Sequence, residues 1–247
     1  MRFLQGTGKP FAPALAAMGA LCAQTATAQN TSSISSPTVT AGDRSVEYRF
    51  GWVPGEDGLD DSFAHRFDYG FSLNSRSSLK LNARFEEKPG SDLRFDNFNV
   101  EYLMELTPET AKVWQSGIRF DARISNGPDS ERIGIDWLNR WRLTDRVQAR
   151  GMLIATRSFG GNADDAIAFE ARSSLSVKLN GDYDLAVLGF FDFGTSDNFT
   201  LDDQTRQVGP TISGPLGNGW SWTAGNLFGL SDDAPDNDVR LWISRDF

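Results

Sequence analysis

The 247-residue chain has a single cysteine, a single histidine and no apolar run long enough to cross a bilayer as a helix. Only 39% of its residues are hydrophobic and its mean hydropathy is −0.38, which excludes a bundle of membrane-spanning helices. The cysteine, Cys22, lies in a segment that we expect to be removed. The remaining chain would then have no disulfide, no cysteine-based zinc site and no thiol nucleophile.

The first 28 residues have the features of a secretory signal peptide. Arg2 and Lys9 precede the apolar stretch FAPALAAMGALCA (11–23), which is too short to span a bilayer as a helix. The small residues in ATA (26–28) are typical of a cleavage site, so we predict that the mature chain begins at Gln29. An uncleaved membrane anchor is the alternative.

The chain is acidic, with 33 Asp and Glu residues against 24 Lys and Arg, a net charge of −9. The charge would become −11 once the two basic residues of the signal are removed. This acidity argues against nucleic acid as a partner. The spacing of the acidic residues matches no calcium-binding loop, and we expect neither a metal nor a cofactor.

Apolar and polar residues alternate almost throughout residues 44–247, which is the pattern of strands with one apolar face. Most segments have 9–13 residues, and a tilted strand needs roughly 9–11 to cross a bilayer. Pro210 lies inside the tenth segment and cannot donate to a ladder, so this segment needs a bulge or is not a strand. Residues 29–43 are Ser/Thr-rich and aperiodic, and we predict a flexible lead-in. The twelve predicted strands are 46–52, 63–73, 79–85, 98–106, 114–124, 133–143, 147–155, 167–179, 183–193, 204–212, 220–230 and 239–247.

Short connections such as NGD (180–182) alternate with longer acidic ones such as SNGPDSE (125–131). Strict alternation predicts successive antiparallel hairpins whose short turns lie at one end of a single sheet, with both termini at that end. A soluble sandwich or lipocalin-like barrel would also alternate. Its apolar face would point inward, however, and a small barrel cannot pack so many Arg, Asp and Glu residues inside.

With these features, the chain from residue 44 to 247 resembles a bacterial outer-membrane β-barrel protein, an all-β, single antiparallel up-and-down transmembrane barrel of about twelve strands. Phe247 and the apolar residues spaced two apart before it resemble the sorting signal read by the barrel-assembly machinery. The strand number resembles that of the oligosaccharide-specific small porins with arginine-lined pores. The resemblance implies the outer membrane of a Gram-negative bacterium, periplasmic termini, and contact with membrane lipid and lipopolysaccharide.

The polar face of the strands is expected to line the lumen. Arg140 and Arg150 fall at nearly the same height on neighbouring strands, with Arg172 within about two residues of that level. Guanidinium groups suit carboxylate and phosphate, so this patch favours an anionic solute. Pairing of these arginines with the nearby acids is the alternative. The predicted lining residues are Arg119, Arg123, Arg140, Arg142, Arg150 and Arg172 in the basic patch, with Asp121, Asp136 and Glu170 as the acidic members.

We therefore expect a passive channel for small hydrophilic, anionic solutes. The alternative is a non-conducting structural or surface-interaction barrel with an ion-paired lumen. We do not expect an enzyme. The only histidine, His65, lies on the apolar face, and the position two residues on, where outer-membrane lipases commonly have a serine, holds Phe67.

Overall fold

The computed structural model describes residues 31–55, 60–108, 110–127, 129–160, 163 and 165–247, and these form a closed antiparallel barrel. Each strand pairs with its neighbours in the chain, and β12 pairs with β1. The predicted signal peptide and its cleavage site before Gln29 lie outside the described residues. The strands are β1 (Arg44–Val53), β2 (Ser62–Ser72), β3 (Ser77–Glu87), β4 (Arg94–Glu105), β5 (Trp114–Ser125), β6 (Glu131–Arg142), β7 (Val147–Phe159), β8 (Ile167–Lys178), β9 (Asp184–Thr195), β10 (Arg206–Gly217), β11 (Trp220–Gly229) and β12 (Asn237–Asp246).

All twelve predicted segments coincide with strands, and the predicted fold class is confirmed. The connections 73–76, 106–113, 143–146, 179–183 and 218–219 lie at one end of the barrel, which we call the short-turn end. The other connections lie at the opposite end, the long-loop end. The start of β1 and the end of β12 both lie at the short-turn end, because an even number of antiparallel strands returns the chain to the end where it started.

The exterior of the barrel is apolar and the interior is charged. On the outer face, large side chains such as Ile124 and Leu153 are 59% and 54% exposed. On the inner face, Asp136, Asp238 and Arg240 are at most 1% exposed. This distribution is the reverse of that in a soluble protein, and it is typical of outer-membrane barrels, whose outer face contacts hydrocarbon. It excludes the soluble sandwich considered above.

No helix among the described residues is long and apolar enough to cross a membrane.

The barrel closes by eight residue pairs between β1 and β12, from Ser45 with Asp246 to Trp52 with Val239. The backbone N–H of Phe247 donates to the carbonyl oxygen of Arg44 at 2.9 Å, which extends the closure to the last residue.

Arg245 is a charged residue on the outward-facing set at the short-turn end. Its Cζ atom lies 5.6 Å from the ring centroid of Trp220 and 4.7 Å from that of Phe247. The two aromatic faces attract the guanidinium cation, which stabilises a charge at the edge of an apolar surface.

The tenth segment is a strand, and the barrel accommodates Pro210 through a local interruption. The pairing of β10 with β9 runs through Gly209 and Pro210, whereas its pairing with β11 skips both. The residue that has no N–H to donate therefore lies where the ladder is already interrupted. A Cβ atom on Gly209 would overlap the carbonyl oxygen of Asn226 and lie 2.7 Å from Cα of Leu227, so the backbone of β11 approaches too closely for any side chain.

We predict that Gly209→Ala destabilises the barrel by about 1–3 kcal/mol, because the new methyl group meets backbone that cannot move aside. The matched control is Gly151→Ala, whose Cβ would lie 3.4 Å from the Trp141 ring, an ordinary contact. Urea unfolding in detergent micelles would measure both. Equal midpoints for the two variants would contradict the close approach.

Candidate pore lining

The nine predicted lining residues lie on the inward-facing set of their strands. Two residues that pair across neighbouring strands point to the same face of the sheet. Arg119 pairs with Asp136, and the next residue along the strand, Trp137, is 48% exposed on the outer face. Arg140 is the direct cross-strand partner of Arg150, so these two residues have the same height, as predicted. Arg172 pairs with Met152, two residues from the Arg150 level.

A chain of ion pairs runs along the lumen wall from β1 to β6. Its nitrogen–oxygen distances range from 2.5 to 3.4 Å. Asn82 and Asn99 also donate to one of its carboxylates, at 3.1 and 3.3 Å. Each charged member of this chain thus has a partner of opposite sign, which offsets the cost of its burial. The members alternate in sign in the order Glu47, Arg49, Asp68, Arg66, Glu101, Arg119 and Asp136.

The arginines near the short-turn end have amide partners instead. Nε of Arg140 donates to Oε1 of Gln115 at 2.8 Å. The side-chain oxygen of Gln148, placed by its hydrogen-bond partners, accepts from Arg150 Nε at 2.9 Å and Nη2 at 3.0 Å. Among the described residues, no carboxylate lies within 4.0 Å of these guanidinium groups or of that of Arg142. An amide oxygen satisfies the donors but leaves the positive charge in place.

A second basic pair lies near the long-loop end, where Arg123 is the direct partner of Arg132. The Nε atoms of both are buried and have no hydrogen-bond partner in the described part of the chain. Asp121, the nearest predicted acid along β5, instead lies over Gly134, where a Cβ atom would lie 2.9 Å from its carboxyl carbon.

Two predicted members of the basic patch, Arg172 and Arg119, bind carboxylates. The guanidinium of Arg172 binds both carboxylate oxygens of Glu170, the second of them at 3.0 Å, and Arg119 belongs to the ion-pair chain. The alternative of ion pairing therefore holds for these two arginines.

Residues 31–39 lie inside the barrel, in contact with several walls at once. Three consecutive carbonyl oxygens accept hydrogen bonds from three strands: that of Thr31 from Arg49 at 2.9 Å, and those of the next two residues from Arg240 and Arg172 at 2.8 and 3.0 Å. On the other side of the segment, the N–H of Ser35 points at Met152 Sδ, 3.1 Å away on β7. A segment that reaches β1, β7, β8 and β12 together can only lie in the lumen.

An apolar cluster inside the lumen encloses Ile34, which is 7% exposed. Pro37 is fully buried and packs against Gly117, where a Cβ atom would lie 3.2 Å from the proline Cβ. The N–H of Val39 donates to Glu105 at 3.1 Å, at the short-turn end where the segment enters. The flexibility predicted for residues 29–43 stays a prediction, and the sequence did not predict that residues 31–39 lie in the lumen. The cluster around Ile34 contains Leu138, Met152, Ile154, Leu188, Phe190 and Leu227.

A cavity of about 410 Å³ lies between this segment and the short-turn end. Ser33 and Ile34 form its inner limit. Its charged lining has four basic and two acidic side chains, so it is a positively charged vestibule in an acidic protein. These are Arg142, Arg146, Arg150, Lys178, Asp145 and Asp184.

No known family model and no curated protein matches this chain. Solved structures do match along most of its length. The COG4313 outer membrane channel from Pseudomonas putida F1 has a TM-score of 0.64 at 10% identity, over 85% of this chain and 97% of that one. The NanC porin has a TM-score of 0.61 at 9% identity, over 81% and 98%, and the KdgM porin 0.57 at 12%, over 82% and 99%.

The chain has the fold of small outer-membrane porins. At such low identity the likeness shows the fold alone. It therefore leaves the solute and the role of each lumen residue to the geometry of this chain.

His65, the only histidine, lies on the outer face. Its Nδ1 atom lies 2.8 Å from the hydroxyl of Tyr48, and its ring packs among aromatic neighbours, including Phe50 at 5.4 Å between centroids. Within the described residues, no group of three or more His, Cys, Asp or Glu side chains could hold a metal ion.

We predict that Arg119→Leu destabilises the barrel by about 3–5 kcal/mol, because it leaves buried carboxylates at Asp136 and Glu101 without this partner. The control is Arg157→Leu on β7, which removes an exposed pair with Asp165 and should cost about 0–1 kcal/mol. Unfolding midpoints in urea would compare them. A midpoint for Arg119→Leu as high as that of the control would show that the ion-pair chain does not support the wall.

Proposed function

We propose that this protein is an outer-membrane channel for the passive diffusion of small hydrophilic solutes, with a preference for anions. The observation that carries the proposal is the pairing of Arg140 and Arg150 with the amides of Gln115 and Gln148. The glutamines hold both guanidinium groups in place without cancelling their charge. An anion that enters the vestibule therefore meets Arg150, which lines it, and the unneutralised charge of Arg140 beside Arg150.

The distribution of charge along the lumen supports the same conclusion. Arg123 and Arg132 lie near the long-loop end, and Arg140 and Arg150 lie near the short-turn end. Both pairs lack a carboxylate within 4.0 Å among the described residues. Two regions of the lumen that attract anions, with weaker attraction between them, allow an anion to enter at one end of the barrel and leave at the other.

One of the solved structures with this fold supports an anionic solute. It is described as the KdgM porin in complex with disordered oligogalacturonate, with a TM-score of 0.59 at 10% identity. An oligogalacturonate carries carboxylate groups, which is the chemistry that guanidinium forks bind. For this chain we propose the class of anionic solutes and not a particular sugar.

We propose that the short-turn end faces the periplasm, as short turns do in outer-membrane barrels. Both ends of the barrel sequence would then be periplasmic. The apolar belt would contact outer-membrane lipid, and the long loops would lie at the level of lipopolysaccharide. Phe247, 62% exposed at the last strand, is available to the barrel-assembly machinery of a Gram-negative cell.

Single-channel recording in planar bilayers tests the proposal. Since residues 31–37 occupy part of the lumen, we would record the wild type and a variant that lacks these seven residues. We expect current steps whose reversal potential in a KCl gradient has the sign for chloride. A cation-selective reversal potential, or no conductance in either protein, would contradict the proposed function.

We predict that the double variant Arg140→Gln/Arg150→Gln lowers the preference for chloride, because it removes two positive charges and leaves a neutral polar side chain at each position. Arg157→Gln is the matched control, since Arg157 lies on the outward set of the same strand as Arg150 and pairs with Asp165. The shift in reversal potential relative to the wild type is the measurement. Equal shifts in reversal potential for the double variant and for Arg157→Gln would contradict the assignment of Arg140 and Arg150 to the ion path.

The second candidate is a non-conducting barrel with a structural or surface-interaction role. Two observations favour it: the ion-pair chain from Glu47 to Asp136, and the presence of residues 31–37 in the lumen. The recording described above separates the two, because only the channel gives current when the seven residues are absent.

A further inference from the structure

We infer that residues 31–37 are a built-in plug that limits flow through the lumen and can leave without unfolding the barrel. The inference goes beyond the proposed function and rests on it, since a plug regulates flow only if the barrel conducts. Four observations support it: the position of the segment, the side chains that bind its backbone, the carboxylates that remain with the arginines of the wall, and the burial of Ile34.

The position of the segment obstructs the lumen. It enters beside Glu105 and Gly117 on β4 and β5 and reaches Arg49 and Arg240 on β1 and β12. It therefore crosses the interior from one side to the other. The vestibule ends at Ser33 and Ile34, so a solute that enters from the short-turn end meets this segment first.

The segment is bound in a way that permits release. Among the described residues, none of residues 31–39 takes part in a backbone–backbone hydrogen bond or belongs to a strand. Its carbonyl oxygens and N–H groups bond to side chains of the wall instead. Release of the segment would therefore leave the backbone hydrogen bonds between the strands intact.

The arginines that bind the segment each retain a carboxylate when it leaves. Arg240 binds Asp238 at 2.7 Å, Arg172 binds Glu170, and Arg49 lies 3.4 Å from Asp68. The carbonyl oxygens use only the remaining N–H donors. Release of the segment therefore exposes these donors to water without leaving an unpaired buried charge, which would otherwise oppose opening.

The apolar cluster around Ile34 favours the closed state. Burial of this side chain against Leu138, Leu188 and Leu227 removes apolar surface from water. Inserting a positive charge at this position should expel the segment, because the cluster provides no counter-ion and the neighbouring Ser33 and Ser35 already bind Arg172 and Arg119.

The first test compares unit conductance in planar bilayers. We expect the variant lacking residues 31–37, and Ile34→Lys, to conduct at least about twofold more than the wild type, because both widen the constriction. Thr40→Lys is the matched control, with the same added charge at an exposed position three residues beyond the segment. Wild-type conductance in both the deletion and Ile34→Lys would overturn the plug and leave the channel standing.

The second test does not depend on conductance. On a Cys22→Ser background, the introduced Thr31→Cys and Ser75→Cys thiols are each the sole one in the chain. Ser75 is exposed in the turn between β2 and β3, whereas Thr31 is 3% exposed inside the lumen, beyond the vestibule. We expect a bulky water-soluble maleimide to label Thr31→Cys at least about tenfold more slowly than Ser75→Cys, since reaction requires local opening. Adding Ile34→Lys should bring the two rates together.

The outcomes separate this inference from the proposed function. If neither the wild type nor the deletion variant conducts, the proposed channel is wrong, and slow labelling of Thr31→Cys that becomes fast with Ile34→Lys would still establish a releasable lumen segment. If Thr31→Cys reacts as fast as Ser75→Cys in the otherwise unchanged chain, the segment does not occupy the lumen and the plug is wrong.

Discussion

The hydrogen bonding of guanidinium groups inside a closed barrel is the interaction on which the rest of this structure depends. A charge enclosed by the strands needs a partner or water, and the kind of partner determines what each arginine can do. Carboxylates bind Arg66 and Arg119 and neutralise one wall. Amides bind Arg140 and Arg150 and leave them charged. Backbone carbonyls take the spare donors of other arginines and hold residues 31–33 in place.

Because the arginines have different kinds of partner, the lumen is electrostatically asymmetric, which the positions of the charged residues alone do not show. The chain as a whole carries a net charge of −9, yet the vestibule at the short-turn end has an excess of basic side chains. Opposite the arginines, β11 contributes small and neutral residues such as Thr223 and Gly225, as its sequence predicts. One rigid, paired wall, one charged vestibule and a segment between them are the parts that an anion channel with a built-in constriction requires.

Much of this could be predicted from the sequence, because strands repeat every two residues and short turns fix the register of their hairpins. The equal height of Arg140 and Arg150 follows from counting outward from the turn at 143–146. The sequence leaves two alternatives for Arg172, a free charge or a pair with Glu170 two residues before it on the same face, and only side-chain geometry decides between them. The lumen position of residues 31–39 could not be predicted either, because the wall binds mainly their backbone, which every residue has. The isolated Ile34 in a polar stretch is the only local signal.

Amide hydrogen exchange of the folded barrel in detergent tests the central claim most directly, that the wall of the lumen binds the chain's own segment. The N–H groups of Ser35 and Val39 point at Met152 Sδ and Glu105 Oε2, each at 3.1 Å, whereas Leu93 lies exposed in a long loop. We predict that Ser35 and Val39 exchange far more slowly than Leu93. Exchange of all three at the same fast rate would contradict the account.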